Sequence, residues 1–60
     1  MELAEGNKYE CLVGGSDFTV GNVYISYMSD DGQVVIPSDS TDEFDEWGLD
    51  MWGYSFKEVL

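Results

Sequence analysis

Val23-Tyr24-Ile25-Ser26-Tyr27-Met28, Ser29-Asp30-Asp31-Gly32 and Gln33-Val34-Val35-Ile36 follow one another without a break, and this stretch decides the fold. Its opening third is rich in β-branched and aromatic residues, which suit a pleated, half-buried surface. Asp31-Gly32 supplies the positive φ of a tight turn, and Val34-Val35-Ile36 reads as the returning strand. Pro37 has no N–H to give to a ladder and stops it. The expectation is an antiparallel hairpin.

Upstream, Lys8-Tyr9-Glu10-Cys11-Leu12-Val13 alternates with period two, putting Tyr9, Cys11 and Val13 on one face. Gly14-Gly15-Ser16-Asp17 is a turn cluster, and Phe18-Thr19-Val20 is a short apolar stretch closed by Gly21-Asn22. Residues 1–7 read as a flexible start to a single domain over 1–60. Downstream, Met51-Trp52-Gly53-Tyr54-Ser55-Phe56 reads as a strand with a bend or bulge at Gly53, and Lys57-Glu58-Val59-Leu60 as a short closing strand. The core candidates are Tyr9, Cys11, Val13, Phe18, Val23, Ile25, Val34, Ile36, Trp52, Phe56 and Val59.

Residues 38–50 have a different character. Asp39, Asp42, Glu43, Asp45 and Glu46 fall within nine residues, beside Phe44 and Trp47. Ser40 and Glu43 have capping-box spacing, and Gly48 fits a helix stop. The segment reads as an acidic loop with one or two helical turns. Phe44 and Trp47 either fill the core or anchor a partner. Four or five short strands with tight turns predict an all-β fold, a small SH3-like antiparallel barrel or strongly curved sheet. The alternative is an α+β meander with one short helix.

The order Tyr9-x-Cys11, Gly15, Phe18-Thr19-x-Gly21-x-x-Tyr24, Asp30-Asp31-Gly32 and Phe56-x-x-Val59 resembles small proteins of bacteriophages and prophages. The resemblance spans about residues 8–36 and 52–60. It implies an SH3-like barrel and a phage origin, and transfers no catalytic residue. Two features depart from that pattern: Asn22 stands where a lysine is usual, and residues 38–50 are more acidic than a barrel requires.

Composition narrows the function. The chain has 60 residues, 13 acidic and 2 basic, no histidine and a formal net charge of −11. With 43% hydrophobic and 15% aromatic residues, it is not a disordered acidic tail. Lys8 and Lys57 are its only cations, which excludes direct nucleic-acid binding through clustered basic residues and makes an anionic membrane an unattractive partner. A single cysteine, Cys11, permits neither an internal disulfide nor a cysteine-based zinc site, and it reads as a buried apolar residue. The acidic N-terminus lacks the pattern of a signal peptide, so a cytoplasmic protein is expected, in the host cytoplasm if phage-encoded.

Catalytic chemistry is not expected. Without histidine there is no Ser-His or Cys-His pair, and no glycine pattern matches a phosphate loop. The carboxylate spacing fails the calcium-loop pattern, so no metal or cofactor is assigned. Eight of the ten acids between Lys8 and Lys57 lie from Asp30 to Asp50. Like charges at this density repel one another in the compact state. Duplex DNA carries one charge per about 1.7 Å, so eleven charges correspond to about five or six base pairs of phosphate.

Two functions follow. The first is an inhibitor that enters the basic groove of a host nucleic-acid-processing protein by DNA mimicry. The second is an acidic interaction module or phage accessory protein without an inhibitory role. For either, the candidate contact residues are Asp30, Asp31, Asp39, Asp42, Glu43, Phe44, Asp45, Glu46, Trp47 and Asp50. A monomer is expected, because acidic faces repel.

Overall fold

The computed structural model describes residues 2–60. Alternation produces β1 (Lys8–Val13), whose Tyr9 and Cys11 turn inward. It pairs antiparallel with β2 (Val23–Ile25) on one side and, at the other end of the chain, with β6 (Ser55–Val59). The second sheet has the order β3-β4-β5, from β3 (Tyr27–Met28), β4 (Val34–Pro37) and β5 (Glu43–Phe44). A short helix, α1 (Glu46–Met51), stands between β5 and β6. The fold is therefore small and mostly β, with six strands in two antiparallel sheets. No ladder among the described residues closes the sheets into a continuous barrel.

The strand count exceeds the expected four or five for two reasons. First, the run 23–28 breaks at Ser26. There the Ser26 N–H donates to the Asn7 carbonyl at 2.9 Å, and its own carbonyl accepts from the Gly6 N–H at 3.0 Å. The Ser26 hydroxyl donates to the Ala4 carbonyl and accepts from the Asn7 N–H. The segment read as a flexible start thus supplies the partners that bury Ser26, and the chain passes from one sheet to the other at this residue. Second, Glu43–Phe44 pairs with β4, with Phe44 opposite Ile36.

The break also reverses the expected faces. Tyr24 and Ser26 turn inward, while Val23 and Ile25 are 50% and 55% exposed and leave the list of core residues. Val13 leaves it too, because a register shift between Cys11 and Val13 turns Val13 to solvent. The hairpin turn is as expected: Gly32 has φ 85°, and its N–H donates to the Ser29 carbonyl at 3.0 Å. Pro37 forms the last position of β4 rather than lying beyond it.

The helix starts five residues later than the Ser40 capping box implied. Asp45 is the N-cap and accepts from the Gly48 N–H at 2.8 Å. Gly48 lies inside the helix, where a Cβ would stand 3.2 Å from Asp45 Oδ1 and 3.6 Å from the Phe44 ring. Gly53, expected to mark a bulge, ends the helix with φ 78°. Its N–H donates to the Asp50 carbonyl and the Tyr54 N–H to the Leu49 carbonyl, the paired bonds of a Schellman motif. Trp52 becomes the helix C-cap, not a strand residue, and is exposed rather than core.

The core is an aromatic cluster centred on Phe18. Tyr24, Phe44, Tyr54 and Phe56 meet its ring edge-on, with centroids 5.0–5.3 Å away. Such pairs each add about 0.5–1.5 kcal/mol beyond area burial. Tyr9, Cys11, Ile36 and Leu49 complete the cluster, and Leu3 packs on its margin. Leu49, Val35 and Tyr54 are buried residues that strand alternation did not reveal.

Candidate functional site

The described residues hold thirteen carboxylates and two cations, so neutral donors take the place of ion pairs. The one ion pair among them is Lys57 with Glu10, at 3.9 Å across β1 and β6. Elsewhere hydroxyls and amides hold the acids. The Tyr54 hydroxyl donates to Asp17 at 2.7 Å, and the Tyr24 and Thr19 hydroxyls both donate to Asp39 at 2.8 Å. The Tyr27 hydroxyl donates to Glu43, and the Ser29 hydroxyl to Asp31. The Leu3 N–H donates to Glu46 at 2.6 Å. A hydroxyl fixes a carboxylate without cancelling its charge, so these contacts position the negative field and leave it intact.

Burial, aided by the charge of Asp39, pushes the Cys11 thiol up. The hydrogen bond to Asp17, together with burial, pushes the Tyr54 phenol up. A protonated, fully buried thiol is inert.

An open groove of about 420 Å³ runs between the second sheet and α1. Val35 and Phe44 contribute its apolar lining, and Trp47, Gly48 and Trp52 line it from the helix. Asp31, Glu43 and Asp45 line it as well, with Ser29 and Gln33 beside them. Trp47 and Trp52 are 69% and 67% exposed, while every ring of the core cluster is at least partly buried. No cation lines the groove.

The expected contact residues therefore divide. Asp31, Glu43, Phe44, Asp45 and Trp47 come together at the groove. Phe44 does so while packing on the core, so it serves both surfaces. Asp30, Asp42 and Asp50 are exposed outside it. Asp39 is tied to Tyr24 and Thr19, and Glu46 to the chain start. Trp52 was missed, because it was assigned to the core. The signal that reveals it is Gly53 read as a helix-ending glycine, with apolar Leu49 and Tyr54 on either side.

Among the described residues no three acids or cysteines converge to hold a metal ion. No helix among them is long and apolar enough to cross a membrane. No protein family, curated protein or solved structure gives a significant match to the chain. The resemblance to bacteriophage proteins rests on its motif residues alone.

Proposed function

We propose that this protein is an acidic interaction module of the cytoplasm that docks on a basic, nucleic-acid-handling protein and competes there with the nucleic acid. The observation that carries the reading is the cation-free groove in which two exposed tryptophans stand beside three carboxylates. Charge alone gives little affinity, since an exposed ion pair is worth about 0–1 kcal/mol. Exposed tryptophans supply the desolvated contact that concentrates binding energy. The carboxylates speed encounter with a positive surface.

The dimensions agree with mimicry. The long axis of the molecule is 26 Å. That length of duplex carries about fifteen phosphates, roughly half on one side. Asp30 to Asp50 supplies eight carboxylates. A phage-encoded inhibitor is the sharper form of this reading. The groove also favours the broader form, an accessory module that binds without inhibiting, because an aromatic anchor needs no nucleic-acid competitor.

The deciding experiment is capture from a low-salt lysate, elution by a salt gradient, and competition of the captured protein with duplex DNA. A nucleic-acid enzyme displaced by DNA supports inhibition by mimicry. A structural or metabolic partner indifferent to DNA overturns mimicry in favour of the accessory module.

A further inference from the structure

We infer that the groove between β4 and α1 receives an arginine side chain of the partner. This rests on the reading of the protein as a docking module for basic proteins, and it names the group that enters.

Asp31 uses Oδ1 to hold the Ser29 hydroxyl, Glu43 uses Oε2 to hold the Tyr27 hydroxyl, and Asp45 uses Oδ1 to cap α1. Each is anchored through one oxygen. The other oxygen, Oδ2 of Asp31, Oε1 of Glu43 and Oδ2 of Asp45, accepts no side-chain or backbone bond among the described residues. Three carboxylates are thus held in place with acceptor capacity left over, in a groove that contains no donor of positive charge.

Trp47 and Trp52 lie on the same groove, one inside α1 and one at its C-cap. A free indole face attracts a cation, most strongly for tryptophan. Arginine satisfies both surfaces together. Its guanidinium is planar, stacks on aromatic faces, and presents paired N–H donors to a carboxylate. A lysine ammonium is a compact and strongly hydrated point charge, so it would meet the carboxylates without stacking. An uncharged apolar side chain would use the indoles and leave the rim acids facing it unpaired.

The test uses the intact chain and a capped glycine-rich peptide bearing one arginine, with lysine and citrulline counterparts. Citrulline keeps the shape and planarity of arginine and loses the charge. Binding is followed by the indole N–H resonances of Trp47 and Trp52. The arginine peptide should shift both resonances saturably. The lysine peptide should bind about fivefold more weakly, and the citrulline peptide about tenfold more weakly. Trp52→Ala should weaken arginine binding by about fivefold, and Glu43→Gln with Asp45→Asn should do the same while leaving the fold unchanged. Equal binding of arginine and citrulline, or arginine binding unaffected by Trp47→Ala and Trp52→Ala, overturns the inference. The two readings fail separately. Arginine binding in the groove without any nucleic-acid-handling partner defeats the proposed partner class alone. Such a partner bound equally well by the tryptophan variants defeats the groove alone.

Discussion

The Tyr54 hydroxyl donates to Asp17 at 2.7 Å, joining residues 37 positions apart in the chain. The same ring meets Phe18 edge-on at 5.1 Å. One side chain therefore fastens the entry to β6 onto both the aromatic core and the turn after β1. Tyr54→Phe keeps the ring contact and removes the hydroxyl. It should lower the thermal midpoint, and Asp17→Asn should lower it less, because an amide oxygen still accepts. Equal midpoints for Tyr54→Phe and the parent would show that the ring alone holds the turn.

Stability should fall on the alkaline side. Cys11 and Tyr54 both ionise later in the folded protein than in the unfolded chain. In the unfolded chain the thiol loses its proton near pH 8.5 and the phenol near pH 10, at about their ordinary values. Below those values the stabilising contribution is complete, and it is lost as pH rises through the folded values. Melts should therefore be flat from about pH 7 to 8 with respect to these groups, and fall above about pH 9. At pH 8 a thiol reagent should label Cys11 only in denaturant. Rapid labelling of the native protein would show that the core opens.

Substitutions should separate core from surface sharply. Phe18→Ala removes the centre of the aromatic cluster and should cost about 3–5 kcal/mol. A domain of this length holds about 3–9 kcal/mol in total, so that variant should lose a large part of its stability and melt far below the parent. Trp47→Ala and Trp52→Ala should each stay within about 0.5 kcal/mol of the parent. Circular dichroism melts decide both. A collapse of Trp52→Ala would return Trp52 to the core, where strand reading had put it.

Asp45 offers a separate test of cap against charge. Asp45→Ala should cost about 1 kcal/mol through loss of the bond to the Gly48 N–H. Asp45→Asn should be close to neutral, because asparagine caps equally well. If both lose the same amount, the carboxylate charge matters more than the cap.

Added salt should raise the thermal midpoint. Eight acids from Asp30 to Asp50 have no cation among them in sequence. Screening acts over about 10 Å at 0.1 M salt and relieves their mutual repulsion. A midpoint that falls with moderate salt would mean that the Glu10–Lys57 pair outweighs the repulsion.

Local chemistry made part of this architecture readable in advance. Alternation located β1, and Asp31-Gly32 located the turn, because both signals act over a few neighbouring residues. The faces of 23–28 were not readable, since Ser26 is buried by partners at Ala4, Gly6 and Asn7 that pattern alone does not supply. The helix start was misplaced for a related reason. Ser40 and Asp45 both have acceptable capping chemistry, and the pairing of Phe44 with Ile36 decides between them by claiming residues 43–44 for a strand. At the groove, Glu43, Asp45 and Trp47 belong to the acidic run that clustering singles out, whereas Asp31 reaches it from the distant β3–β4 turn. Trp52 was not legible, because one glycine serves equally for a bulged strand and a helix end.

The distribution of charge between the sheets has a consequence for motion. The strands of the first sheet carry Lys8, Lys57, Glu10 and Glu58, which balance, and the segments flanking β1 add Glu2, Glu5 and Asp17. The second sheet, α1 and their connections carry eight acids and no cation. The molecule is therefore an electric dipole as well as a net anion. Near a positively charged surface it experiences a torque, not only an attraction. That torque turns the less charged sheet outward and brings the side with the tryptophans to the front before the first contact. Reversing Lys8 and Lys57 to glutamate would reduce this alignment while increasing the total attraction, so productive encounters would become a smaller fraction of all encounters.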